Sequence, residues 1–383
     1  MPVSSIKYFL PLFSLVIACN SKPAKDVNLR YSKADSRIEY AGRFNIEKKD
    51  GYTVLTIINP WQGAVDVNHI YYLVRRGDNI PAGVNTSSII YVPVRKIICM
   101  STTYLAMISA LGEEESVKGI SGGNLIFNES IKEKVKKGKV YDVGYEDNLN
   151  KELVIQIAPD LIMVYGVGSE AAGYLNKIKE LGFTVLFNAD YLETDPLGKA
   201  EWIKVFGALF CKEKQADDLF NSISNEYNDI KSMIREKGLN RPSVLLGLPW
   251  KDTWFISPGN SYISRLISDA GGIYLWQDKT SDISMPIGIE NVYIKAMEAD
   301  YWLNIGSVNR REEITSLDNR LGDLPVFRSG KMFNNNKRVS KNGGNDYWES
   351  GAFNPQIILK DISAILHPEI FPGYELFYYK KIK

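Results

Sequence analysis

The sequence predicts an α/β protein of two lobes joined by one long helix, with an antiparallel β segment ahead of them. Three observations carry this. Strand, loop and helix alternate twice along the chain; a single amphipathic run separates the two stretches; and period-two text occupies residues 38–94. Alternating β and α elements of this kind argue for a parallel sheet covered by helices on both faces.

Taken in order, the chain opens on Lys7 and an apolar stretch from Tyr8 to Ile17, with small Ala18 before Cys19. This is the pattern of an export signal that ends in a lipid-acceptor cysteine. The stretch falls short of the ~20 apolar residues that span a bilayer. Residues 1–18 are therefore read as a lipoprotein signal peptide, Cys19 as the lipidation site, and polar residues 19–36 as a tether to a fold in an exported, aqueous compartment. No acidic cluster follows Cys19, which favours the periplasmic face.

Residues 37–212 form the expected N-terminal lobe. It starts with strands at Tyr52–Ile58 and Ile70–Val74, punctuated by Lys49-Asp50-Gly51 and Arg76-Gly77-Asp78 turns. A buried strand at Arg95–Met100, Ser101-Thr102-Thr103-Tyr104, and an apolar helix Leu105–Leu111 closed by Gly112 make the first β-loop-α unit. The same grammar recurs with a strand at Asp160–Gly166, a helix through Leu175 to Leu181, and a strand at Phe183–Phe187. Residues 213–238 carry apolar side chains in steps of three and four from Ala216 to Ile234, marking the linking helix, which ends at Gly238. Its roughly 25 residues span about 38 Å. Residues 239–383 form the C-terminal lobe, with strands at Ser243–Leu248 and Tyr301–Ile305 and helices at Ser261–Ala270 and Ile289–Ala299.

Charge and composition narrow the function classes. With 46 basic and 45 acidic side chains, and one lysine lost with the signal, the net charge is zero, so nothing draws the chain to a phosphate backbone and nucleic acid is not an expected partner. His69 and His367 are the only histidines, too few for a histidine-rich metal site, and no resident metal or cofactor is expected. Cys99 and Cys211 either pair in the exported compartment or remain as buried thiols.

In open α/β sheets, ligands bind beyond the carboxyl ends of the strands. The loops there carry Thr102 and Thr103; Tyr165, Gly166 and Gly168; Tyr191; Trp250, Lys251 and Trp254; and Trp348. Aromatic planes with hydroxyls suit a cleft for a bulky, partly apolar ligand, and Lys251 or Arg310 can neutralise acidic groups on it. The competing reading is that the tryptophans are packing residues. Catalytic motifs are missing: there is no Gly-x-Ser-x-Gly and no phosphate loop, and Gly166-Val167-Gly168 lacks the third glycine of a dinucleotide fingerprint. Carboxylate pairs such as Asp190 with Glu193, or Asp346 with Glu349, are explained by caps and solvated loops. The chain is not expected to be an enzyme.

The segments Asp195–Lys204, Gly271–Trp276, Ala299–Asn304, Phe333–Arg338 and Gly344–Gly351 resemble the helical-backbone class of periplasmic substrate-binding proteins, and more closely the Bacteroidetes lipoproteins of iron-chelate and cobalamin ABC importers. This resemblance implies two Rossmann-like lobes braced by one helix, a monomer that grips a metal chelate between them, and delivery to an inner-membrane ABC permease. It further implies a docking carboxylate on each lobe. Glu152 matches the first position; the second falls on Ser268, with Asp269 adjacent. A ferric siderophore is the first expectation for the ligand, cobalamin the second and haem the third. An exported enzyme acting on a tetrapyrrole, and a surface-exposed accessory subunit of an outer-membrane receptor, are the alternatives from other classes.

Overall fold

The computed structural model describes residues 38–145, 148–166, 178 and 180–383. The signal peptide, Cys19, the tether, Gly168 and the start of the helix expected through Leu175 lie outside the described residues.

Strands β1 (Phe44–Lys49), β2 (Tyr52–Ile58) and β3 (Asn68–Arg75) pair antiparallel, as their alternation predicts, and β4 (Ile89–Val92) joins β3 in parallel. The parallel pairing departs from the all-antiparallel expectation. Its cause is the long link from Arg76 to Ser88, which crosses over instead of making a hairpin.

The N-terminal lobe is built on β5 (Ile97–Cys99), β6 (Val117–Ile120), β7 (Tyr141–Asp142), β8 (Leu161–Val164) and β9 (Val185–Phe187). They form one parallel sheet in the order β7-β6-β5-β8-β9. β5, β8 and β9 are buried at every position, which is why they read as unbroken apolar runs. The C-terminal lobe contains β10 (Ser243–Leu246), β11 (Pro249–Trp250), β12 (Thr253–Ile256), β13 (Ile273–Tyr274), β14 (Met285–Gly288), β15 (Tyr301–Leu303), β16 (Met332–Asn334) and β17 (Lys380–Lys381). Its main sheet runs β13-β10-β15-β16-β17, parallel except for the edge strand β17, and β11, β12 and β14 form a small antiparallel sheet of their own.

In both lobes the strand order reverses beside the first strand. The chain leaves β5 toward β6 and returns to β8; it leaves β10 toward β13 and returns to β15. Each reversal opens a crevice at the carboxyl ends of two adjacent strands.

The linking helix runs Glu213–Glu236 and buries Ala216, Phe220, Ile223, Ser224, Tyr227, Ile230 and Ile234. Met233, assigned to the apolar stripe by sequence, is exposed. The helix ends where Gly238 takes φ +57°, a left-handed conformation that favours glycine. It packs against helix Ile203–Phe210 of the first lobe and helix Pro355–Leu366 of the second. Residues 36–383 form one compact unit, so the lobes are packed together as well as tethered. Cys99 and Cys211 are both free; Cys99 is buried and Cys211 half-buried, so the expectation of two buried thiols holds only for Cys99.

Candidate functional site

The first-lobe wall begins at the end of β5. Ser101 caps a 3-10 turn over Thr102–Tyr104 by accepting the Thr103 N–H at 3.3 Å, and its hydroxyl lies 2.9 Å from Thr103 Oγ1. Thr102 and Thr103 are half-buried, while Tyr104 turns inward, its hydroxyl buried without a hydrogen-bond partner among the described residues. Burial, with Asp190, Tyr165 and Tyr191 nearby, holds that phenol well above its ordinary range. Tyr165 follows β8, at the reversal, and is half-buried. Tyr191 donates its hydroxyl proton to the Gly166 carbonyl, and burial pushes its pKa up to about 12. Trp61 bridges to Gly166, and Gln62 beside it donates to the Asp282 carbonyl of the second lobe at 3.3 Å.

The second-lobe wall starts at the β10 reversal. The Gly247 turn, with φ +79°, leads into β11, where Trp250 is 66% exposed. Lys251, at φ +55°, places its ammonium 4.7 Å over the Trp250 ring. Trp254, predicted as a cleft residue, is instead a core residue. Its indole is fully buried, donates to the Leu246 carbonyl at 2.9 Å and packs against Trp302. The strand period explains the error: Trp250 pairs with Thr253, so Trp254 must point to the opposite face. Phe255 returns to the open face and is half exposed. Sequence reasoning missed it, although two-residue alternation along β12 carries the signal.

Trp348 is 58% exposed on the single turn Asp346–Glu349, capped by Asn345. Its ring meets buried Tyr347 edge-on at 4.8 Å, and the turn packs against Thr102–Tyr104 of the other lobe. The fold thus gathers Thr102, Thr103, Tyr165 and Tyr191 on one wall and brings the Trp348 turn against it. Arg310 is not gathered. It is exposed and paired with Glu313 at 3.3 Å, and the next residue, Arg311, bonds through its N–H to the carbonyl of Lys383, placing the pair at the β17 edge of the sheet. Tyr145, half exposed after β7 with its hydroxyl against Gly122, was not predicted.

Glu152 is exposed on helix Lys151–Ile157. Asp269 is not available as a docking group: its carboxylate is 9% exposed, accepts from Tyr227 Oη at 2.8 Å, and pairs with Lys231 at 3.1 Å and Arg265 at 3.5 Å. It ties helix Tyr262–Asp269 to the linking helix, whereas Ser268 is exposed. Among the described residues no cluster of three or more His, Cys, Asp or Glu side chains is placed to hold a metal ion.

Two lobes with crevices at their strand reversals, braced by one helix, define a substrate-binding protein. The profile of the periplasmic binding protein family matches residues 97–323, and the chain belongs to that family. It is 29% identical over 347 residues to the uncharacterized lipoprotein MJ0878 of Methanocaldococcus jannaschii, covering 85% of this chain and 81% of that one. Among solved structures, a periplasmic haem-binding protein from Pseudomonas aeruginosa superposes with a TM-score of 0.57 at 15% identity, covering 76% of this chain and 98% of the other. A possible iron-binding periplasmic solute-binding protein from Staphylococcus epidermidis gives 0.55 at 18% identity, covering 72% and 99%. These comparisons bear on the periplasmic binding protein family and not on the Bacteroidetes lipoprotein type that the sequence resembles.

Proposed function

We propose that this chain is the lipid-anchored capture protein of an ABC importer, holding an iron chelate, in first place a ferric siderophore, between its lobes for delivery to the permease. One observation supports this above the others. Of seven tryptophans, five are buried or half-buried, and the two exposed ones are Trp250, on β11 just past the end of β10, and Trp348, on the turn Asp346–Glu349 that packs against Thr102–Tyr104. An indole left more than half in water forgoes roughly 2–4 kcal/mol of burial, a standing cost that a partly apolar ligand removes. Thr102, Thr103, Tyr165 and Tyr191 supply hydroxyls opposite them, and Lys251 a cation. Phe255 and Tyr145 extend the aromatic surface, while Trp254 and Arg310 drop out of the ligand set. Cobalamin and haem are the other cargoes of the same mode of capture. Glu152 is the first-lobe docking carboxylate in this reading, and the second-lobe contact passes from Asp269 to the surface around Ser268. Cys19 bears the lipid.

Tryptophan emission of the chain from Ser36 onward, titrated with ferric siderophores, cobalamin and haem, tests the reading. One saturating quench is expected, and the double variant Trp250→Phe, Trp348→Phe should lose most of it. A saturating quench undiminished in that variant places the ligand elsewhere; no response to any chelate removes this cargo class.

A further inference from the structure

The two lobes meet along a seam made by the segment 338–349 of the second lobe and 125–128 of the first. Glu349 accepts the Phe127 N–H on one carboxyl oxygen and the Asn128 N–H on the other, each at 2.7 Å. Asn128 is the N-cap of helix Glu129–Lys136, so the carboxyl sits at the positive end of that helix. Arg338 lies between rings from both lobes, 5.1 Å from Phe127 and 4.3 Å from Phe377, and pairs with Asp346 at 2.6 Å. Gly344 approaches the Leu125 carbonyl so closely that a methyl group there would collide with it. Trp348 rides on the same turn as Glu349, so parting this seam moves a proposed ligand contact.

We infer that the Glu349 carboxyl is a latch between the lobes and sets how readily the cleft opens to take up and release cargo. For cargo exchange this rests on the capture function proposed above; the latch itself does not. No other carboxylate among the described residues is seen to bond across this seam, and Glu349 is buried. The groups that face it are Asp346 from its own turn, Lys132 and Glu129 from the first-lobe helix, and Arg338, whose charge is already matched by Asp346.

Burial, opposed by the two N–H donors and reinforced by Asp346, pushes the closed-state carboxyl up to about 7. Once the seam parts and water returns, the group reverts to the ordinary carboxyl range. The closed form therefore binds the proton more tightly than the open form. The closing contribution is fully present below the ordinary carboxyl range and is lost as pH rises through about 7. Between pH 6 and pH 8 the closed-to-open ratio should fall about tenfold.

Amide hydrogen exchange on the ligand-free protein reads the latch directly. After correction for intrinsic exchange, protection of Phe127 and Asn128 should drop up to about tenfold from pH 6 to pH 8, while Ile98 in the first-lobe sheet stays protected. In Glu349→Gln the pH dependence should vanish, and in Glu349→Ala both amides should exchange faster at every pH with Ile98 unchanged. Equal protection in wild type and Glu349→Ala overturns the latch. A pH dependence that survives in Glu349→Gln overturns its assignment to this carboxyl. Neither readout needs a ligand, so failure here is separate from failure of the capture reading.

Discussion

Two regions of this molecule are held by buried carboxylates that accept backbone N–H groups from distant chain, and they do so to opposite ends. Near the start of the fold, Glu201 takes the N–H groups of Glu39, Tyr40 and Ala41 at 2.8–3.2 Å, and Glu193 takes those of Gly42 and Arg43 at 3.0 Å each together with the Trp202 indole N–H. Glu201 is completely buried, but Lys204 stands 2.8 Å away, so the charge has its counter-ion inside the protein. That clamp lies within one lobe and fixes residues 39–43 at the start of the described fold. The clamp at Glu349 spans two lobes and has no cation of its own at contact distance among the described residues. A paired buried charge with its hydrogen bonds filled makes a permanent anchor. Glu349, with no such partner and held by N–H donors, titrates close to neutrality and makes a contact that is open to release.

The largest expected effect comes from breaking the anchor. Glu201→Ala leaves three backbone donors without an acceptor and removes the carboxylate that pairs with Lys204 at 2.8 Å, and should cost about 3–5 kcal/mol in urea unfolding. A loss below about 1 kcal/mol would mean that the two clamps are equivalent and dissolve the contrast. Breaking the core side of the C-terminal wall comes next: Trp254→Ala should cost about 3–4 kcal/mol through the cavity it leaves, whereas Trp250→Ala, four residues away, should leave stability within about 0.5 kcal/mol and weaken ligand binding instead. Opposite outcomes for these two indoles would return Trp254 to the cleft. Glu349→Ala should cost less than the anchor variant, about 1–3 kcal/mol, because it removes one acceptor pair and breaks no buried ion pair. The smallest effect is the pH response. Wild-type stability should decline slightly between pH 6 and pH 8 by the Glu349 contribution, at most about 1.4 kcal/mol, and Glu349→Gln should be flat over that window.

The legibility of the chain divides along the same physical line. The strand Tyr52–Ile58, the helix Leu105–Ala110 and the linking helix Glu213–Glu236 were readable because each buries a face whose period is written in consecutive residues. Strands β6 and β16 were not picked out, since text of three or four residues is too short to show a period; the C-terminal helix Pro355–Leu366 was missed although Ile358, Leu359, Ile362, Ile365 and Leu366 follow steps of one, three and four. Thr102, Tyr165 and Trp250 follow the ends of β5, β8 and β10, as a rule about strand ends expects from the order of elements alone. Trp254 failed because one residue of register decides which face a side chain takes, and the hairpin that sets it is two residues long. Asp269 failed because its partners Tyr227 and Lys231 come from the linking helix, some forty residues earlier in sequence.

What the sequence alone determined is the succession of elements, the strut between two α/β halves, and the candidate signal and lipid-acceptor cysteine, all of which follow from local period and composition. The tertiary structure decided which indoles face water, which acidic side chains remain free, and that Glu349 reaches the amino end of a first-lobe helix more than two hundred residues away. Local pattern records which face of an element is apolar; the identity of what lies against that face depends on how the lobes close, and only the folded chain brings those partners within hydrogen-bonding distance.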